Sequence, residues 1–151
     1  FTFGNDKVQY YETISGGSGA GPGFKGTSVV QTHMTNSRLT DPEVLEFRFP
    51  VRLESYAIRA GSGGAGQWKG GNGGTRRVRF LEAMTASILS NGRHHGAFGM
   101  AGGQQGQPGA NRVERSDGRI EKLDHIGSVE MAPGDIFVIE TPGGGGYGPP
   151  G

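Results

Sequence analysis

The sequence contains no cysteine. Disulfides, thiolate nucleophiles and cysteine-bearing zinc sites are therefore excluded. No run approaches the ~18 apolar residues of a membrane-spanning helix, and no secretory leader pattern is visible. A cytoplasmic protein without membrane contact is the expectation. An excess of one charge is missing too. Fifteen Lys and Arg face 14 Asp and Glu, for a net charge of +1. Bulk electrostatics single out no partner, and nucleic acid would call for a basic stripe. Arg76, Arg77 and Arg79 make only a small basic cluster. On a strand, alternation splits it between two faces, so local ion pairs are expected there. Apolar residues are also scarce, at 32%. Burial stabilises by roughly 25 cal/mol per Å², so the core is expected to be modest and one face to pack on further domains.

What the chain has in abundance is glycine, 31 residues, with 8 prolines among its 151 residues. The glycines cluster, and the runs between them alternate apolar with polar residues, which favours ordered strands joined by glycine loops over disorder. Strands are expected over 8–14, 29–34, 75–81, 84–90, 111–115, 119–123, 128–131 and 135–141. From Leu45 to Leu53 apolar residues alternate with Glu46, Arg48 and Arg52, and then the apolar phase shifts to Tyr56 and Ile58. That shift requires an extra residue, a bulge near Ser55. Pro50 cannot donate to a ladder and marks an edge. Ser116-Asp117-Gly118 reads as a hairpin turn and Pro133-Gly134 as the centre of a type II turn. The pattern predicts a mainly β domain over 1–151, a sandwich or barrel-like fold of short strands with glycine-rich loops.

One segment differs in texture. Thr32 to Glu46 is dense in polar side chains and free of glycine. Thr40-Asp41-Pro42-Glu43 has the form of a capping box, so one short helix is expected near 41–46. His33 stands at the end of an expected strand, close in sequence to Asn36, Arg38 and Asp41. A histidine there can serve as general base, metal ligand or substrate contact, or can lock the loop through hydrogen bonds. Asp41 can act chemically or simply cap the helix.

Other motifs are weaker. Gly21 to Gly26 and Gly61 to Gly66 both match G-x-G-x-x-G, but neither leads into a helical pattern as a dinucleotide site demands. No Walker A sequence is present. His94-His95 would point to opposite faces of a strand, and a solvated loop is expected. His125 follows Asp124 in an expected turn and receives no role. Ser62 lies between glycines without an identifiable base. The terminal glycines, Gly143 to Gly146, allow either close backbone approach or a flexible tail.

The order and spacing of several blocks resemble the C-terminal part of the hydantoinase B/oxoprolinase family. They are Tyr10-Tyr11-Glu12-Thr13-Ile14, Thr32 through Glu43, Phe49-Pro50-Val51, Arg59 with Gly61-Ser62-Gly63-Gly64, Phe80-Leu81-Glu82, and Ala132-Pro133-Gly134-Asp135 onward to Tyr147. Within the family the chain looks most like the bacterial 5-oxoprolinase type. The start at Phe1, without a methionine, fits a piece of a longer chain. The resemblance implies ATP-dependent opening of a cyclic amide, 5-oxoproline to glutamate, as in glutathione metabolism. It also implies a hydantoinase A-like ATP-binding partner, a small cyclic-amide substrate and a homo-oligomeric parent. ATP, and in some relatives a divalent metal, would belong to that parent, with none bound by this segment alone, which is expected to be inactive. Related branches hydrolyse hydantoins or carboxylate ketones, and a purely structural assembly role is a further alternative. The resemblance places His33 and Asp41 as catalytic and Asn36 and Arg38 as substrate-binding. Gln31 stands where many relatives carry a second histidine, which counts against a metal at this point.

Overall fold

The structure, a computed structural model, describes residues 1–4, 9–11, 17, 19–26, 28, 46, 49–89, 98–123 and 126–150. Two antiparallel sheets are built from them. The first contains β1 (Thr2–Gly4), β2 (Gln9–Tyr11), β5 (Met84–Leu89) and β8 (Ile126–Met131), in the order β2-β1-β5-β8. The second contains β3 (Val51–Ile58), β4 (Gly74–Phe80), β6 (Ala110–Glu114), β7 (Ile120–Leu123) and β9 (Ile136–Glu140), in the order β3-β4-β9-β6-β7. They remain two sheets and do not close into a barrel, so of the two expected architectures the sandwich is the one formed.

Alternation dictates the packing. In β4, Arg76, Val78 and Phe80 point inward and are buried, while Thr75, Arg77 and Arg79 point outward. Val78 and Phe80 join Val113, Phe137 and Ile139 of their own sheet and Phe3, Met84, Ala86, Ile88 and Met131 of the other in one core cluster. Phe3 is its aromatic hub. Its ring centroid lies 5.0 Å from that of Tyr10, 5.3 Å from Phe80 and 5.7 Å from Phe49. Such tilted and edge-on contacts suit the ring quadrupole. β1 was not expected, although Phe1-Thr2-Phe3 already carries the alternation of a strand.

The expected turns and bulge are present. Register slips between Leu53 and Ser55, where β3 pairs with β4. Asp135 N–H donates to Ala132 O at 3.0 Å, with Gly134 at φ 91°, as a type II turn requires. Gly118, at φ 93°, closes the β6–β7 hairpin. The strand expected from Leu45 instead begins at Val51. Pro50 explains the late start, because Val51 N–H turns back to Phe49 O at 2.8 Å in a three-residue turn around the proline. Among the described residues β3 is nevertheless an edge strand. The strand expected over 29–34 lies outside the described residues. So does the helix near 41–46, apart from Glu46, which is helical and accepts a hydrogen bond from Leu53 N–H at 3.0 Å.

Candidate functional site

His33, Asn36, Arg38 and Asp41 lie outside the described residues, as do Gln31, His94, His95 and His125. The chemistry that can be built from side chains upward is therefore that of the glycine clusters and the charged sheet beside them.

Much of the glycine is interior, although residues 22–25, Gly61 and Gly102 are exposed. Gly143, Gly144, Gly145 and Gly146 are buried, as are Gly64, Gly70, Gly71, Gly73 and Gly106. Residues 142–148 run through the middle of a backbone lattice. Gly143 N–H donates to Gln107 O at 3.1 Å, Gly144 N–H to Gly71 O at 2.9 Å and Gly146 N–H to Gln104 O at 2.9 Å. In return, Gly17 N–H reaches Pro142 O, Gly64 N–H reaches Gly144 O and Ala20 N–H reaches Gly145 O. Main chains lie side by side with no room for side chains between them. A Cβ built on Gly143 would fall inside the van der Waals shell of Ser62 O, and one on Gly70 inside that of Gly144 O. Of the two readings open for the terminal glycines, close backbone approach is the one observed. Glycine here is a packing residue, and backbone hydrogen bonds take the place of an apolar core.

Four side chains tie this lattice to the sheet. Ser62, 1% exposed, donates from Oγ to Arg59 O at 2.8 Å and accepts from Gly73 N–H at 2.9 Å. It is held as a structural hydroxyl and is not presented as a nucleophile. Asn72 Oδ1 accepts from Gly63 N–H at 2.9 Å. Thr141 Oγ1 accepts from Gly74 N–H at 2.7 Å. Arg59 directs Nη1 at Thr141 O, 2.6 Å away, and at Pro108 O, 3.3 Å away. It thereby closes one end of the lattice. Arg59→Ala removes a charged donor from two carbonyls and is expected to cost about 2 kcal/mol, read as a lowered denaturant midpoint with an unchanged slope. An unchanged midpoint would contradict this linking role.

Outside the lattice, the five-stranded sheet carries a ladder of guanidinium and carboxylate groups. Glu54 pairs with Arg79 at 2.6 Å and Arg52 at 3.8 Å. Glu114 pairs with Arg77 and with Arg112, the latter at 3.3 Å. Glu140 pairs with Arg112 at 2.6 Å and Arg59 at 3.7 Å. The Arg79 side chain also donates to Gly134 O at 3.2 Å. The basic cluster is thus divided as alternation requires, with Arg76 inward and over the Tyr56 ring at 5.5 Å, and Arg77 and Arg79 outward in ion pairs. Hydrogen bonds from Arg79 hold the Glu54 carboxyl below the usual carboxylate range, and those from Arg77 do the same for Glu114.

A second ion cluster locks two turns together. Asp135, 2% exposed, accepts from Arg115 Nη1 at 2.7 Å, Ala132 N–H at 2.8 Å and Ser116 N–H at 3.0 Å. Burial alone would push its carboxyl up, but these donors outweigh it and hold the group below its ordinary range. Arg115, bonded to Glu121 and Asp135, is held firmly protonated. Carboxylates held this way stay ionised and are weak proton acceptors, unlike a general base poised near neutral pH. Among the described residues no three of His, Cys, Asp and Glu converge as metal ligands, and the glutamates of the ladder are committed to arginines. Neither G-x-G-x-x-G match opens a described helix. Gly21 and Phe24 bridge in a tight turn, and Gly66 leads to the bridge of Trp68 with Tyr147. Among the described residues no helix is long and apolar enough to cross a membrane.

Reasoning from sequence missed the linking roles of Asn72 and Thr141 and the identity of the ion pairs. The charges on alternate positions of β4 and β6 were visible, but their cross-strand partners depend on register.

Comparison with known proteins agrees with this architecture. The chain is 50% identical over 147 residues to 5-oxoprolinase 1 of Arabidopsis thaliana, and 44% identical over 147 residues to a 5-oxoprolinase of Dictyostelium discoideum. Each alignment covers 97% of this chain but 12% of the relative, so the chain spans about one-eighth of their length. Both relatives are eukaryotic, whereas the sequence suggested a bacterial type. The fold resembles that of an ATP-dependent caprolactamase from Pseudomonas jessenii, with a TM-score of 0.76 at 24% identity over 97% of this chain and 28% of that one. The family model for hydantoinase B/oxoprolinase matches residues 1–150. With that match running nearly from end to end, the chain belongs to the hydantoinase B/oxoprolinase family.

Proposed function

We propose that this chain is the C-terminal β domain, over residues 1–151, of an ATP-dependent cyclic-amide hydrolase of the 5-oxoprolinase type. The observation that carries the reading is 44–50% identity to proteins named 5-oxoprolinase across 97% of the chain. The reaction is 5-oxoproline, ATP and water to glutamate, ADP and phosphate, in the cytoplasm. A hydantoinase A-like part supplies the ATP site, and the parent is a homo-oligomer. The lattice and the ion clusters make this domain a rigid support, with His33 and Asp41 acting at the substrate and Asn36 and Arg38 binding it. A divalent metal, where the parent uses one, would take its ligands elsewhere, since Glu54, Glu114, Glu140 and Asp135 are already engaged by arginines. Hydantoin hydrolysis, ketone carboxylation and a purely structural role are the competing readings.

The test is phosphate release by the full-length parent with ATP and 5-oxoproline, with hydantoin and with acetophenone plus bicarbonate alongside. Release that depends on 5-oxoproline is expected; release only with another substrate reassigns the branch. His33→Ala in that parent should lower turnover at least about a hundredfold if the histidine is a general base, with the melting temperature unchanged. Normal turnover by the folded variant would remove His33 from catalysis and favour a loop-locking role.

A further inference from the structure

Among the described residues, the outward face of the five-stranded sheet carries more cations than carboxylates. Arg52, Arg59, Arg77, Arg79, Arg112 and Lys122 share it with Glu54, Glu114 and Glu140. Among the described residues, six cations against three carboxylates leave this face at +3, although the whole chain is only +1. The three glutamates are saturated, each bridging two arginines. Among the described residues, Glu46 engages the Leu53 amide at the sheet's edge and not an arginine.

Register makes the imbalance costly. Arg52 stands directly opposite Arg79, and Arg112 directly opposite Lys122. Like charges in opposed cross-strand positions destabilise a sheet. The glutamates also hold the guanidiniums of Arg77, Arg79 and Arg112 in fixed orientations, which lowers the ordering cost of a further carboxylate contact. Arg52, whose side chain is 66% exposed, keeps most of its fork free.

We infer that this face docks an acidic surface of the parent protein lying outside residues 1–151. Carboxylates of that surface would complete the ladder at Arg52–Arg79 and Arg112–Lys122. The inference rests on the proposal that the chain is part of a longer protein, and it names the face and the chemistry of the contact.

Lys122 is the reporter, because it is the one lysine of the face among the described residues. In the full-length parent, zero-length carbodiimide coupling should join Lys122 to an Asp or Glu outside this chain. Arg52→Glu, an exposed substitution, should reduce that product at least about fivefold by setting like charges against each other, without moving the melting temperature. The proposal is overturned if Lys122 couples only within residues 1–151. It is equally overturned if Lys122 is acylated in the folded parent as completely as in the unfolded one, or is protected only after a single-stranded oligonucleotide is added. Phosphate release is read separately. Turnover without the cross-link overturns the docking face alone, and the cross-link without turnover overturns the reaction alone.

Discussion

Gly143→Ala should destabilise this domain severely. The added methyl meets the backbone of Ser62 and Gly63, which cannot rotate away as a side chain could. Relief would require breaking Gly143 N–H to Gln107 O and Gln107 N–H to Ser62 O, at 3.1 and 2.8 Å. Overpacking costs roughly 1–3 kcal/mol, and each lost buried hydrogen bond adds about 1–3 kcal/mol. A loss of about 4 kcal/mol is expected, a large share of the 5–15 kcal/mol typical of a domain. Two controls separate packing from backbone strain. Gly127→Ala finds its nearest neighbour at 3.9 Å and should be nearly neutral. Gly23→Ala faces open space but sits at φ 84°, so it should cost about 1–2 kcal/mol through the left-handed backbone alone. Denaturant midpoints of the three variants decide the matter. A Gly143→Ala protein as stable as Gly127→Ala would mean that the lattice does not exist in solution.

Asp135→Ala should be the other severe substitution. It leaves Arg115 without its buried partner and strips acceptors from the Ala132 and Ser116 amides. Breaking a buried pair from one side costs about 3–5 kcal/mol. The same cluster sets the acid limit. Asp135 has a depressed folded-state pKa, so its stabilising contribution is complete above the unfolded carboxylate value, near ~4. It is lost as pH falls through the lower folded value. Glu114, Glu54 and Glu121 shift in the same direction and add to the loss in the same window. The melting temperature of the wild type should therefore fall steeply below about pH 4, and that of an Asp135→Asn variant less steeply. Parallel pH profiles for the two proteins would remove Asp135 from the account.

How legible the protein was in its sequence depended on the range of the interaction. The bulge at Ser55 follows from a phase shift in one short run, because side chains on a strand alternate with period two. The Pro133-Gly134 and Asp117-Gly118 turns follow from backbone preferences of the residues themselves. Pro50 was rightly read as a mark of the edge, but its effect on where β3 begins was underestimated. The alternation from Leu45 to Leu53 suggested a continuous strand, and a proline that folds Val51 back on Phe49 interrupts it. No strand was expected at Phe1 and Phe3, yet they enter the core, since only the sheet order places β1 between β2 and β5.

The sequence by itself determined the β class, the hairpins and turns, and the division of Arg76 from Arg77 and Arg79. Each depends on neighbours within a few residues. Tertiary structure alone decided what the glycines do. Residues 17, 19–20, 62–71, 100–107 and 142–148 are far apart along the chain, and nothing in a single glycine cluster says which other backbone will lie against it. It also decided which carboxylate each arginine meets, because Arg77 and Glu114, or Arg59 and Glu140, become neighbours only through the register of β4, β9 and β6. Local preferences are written residue by residue, whereas a shared ladder is a property of strands already aligned.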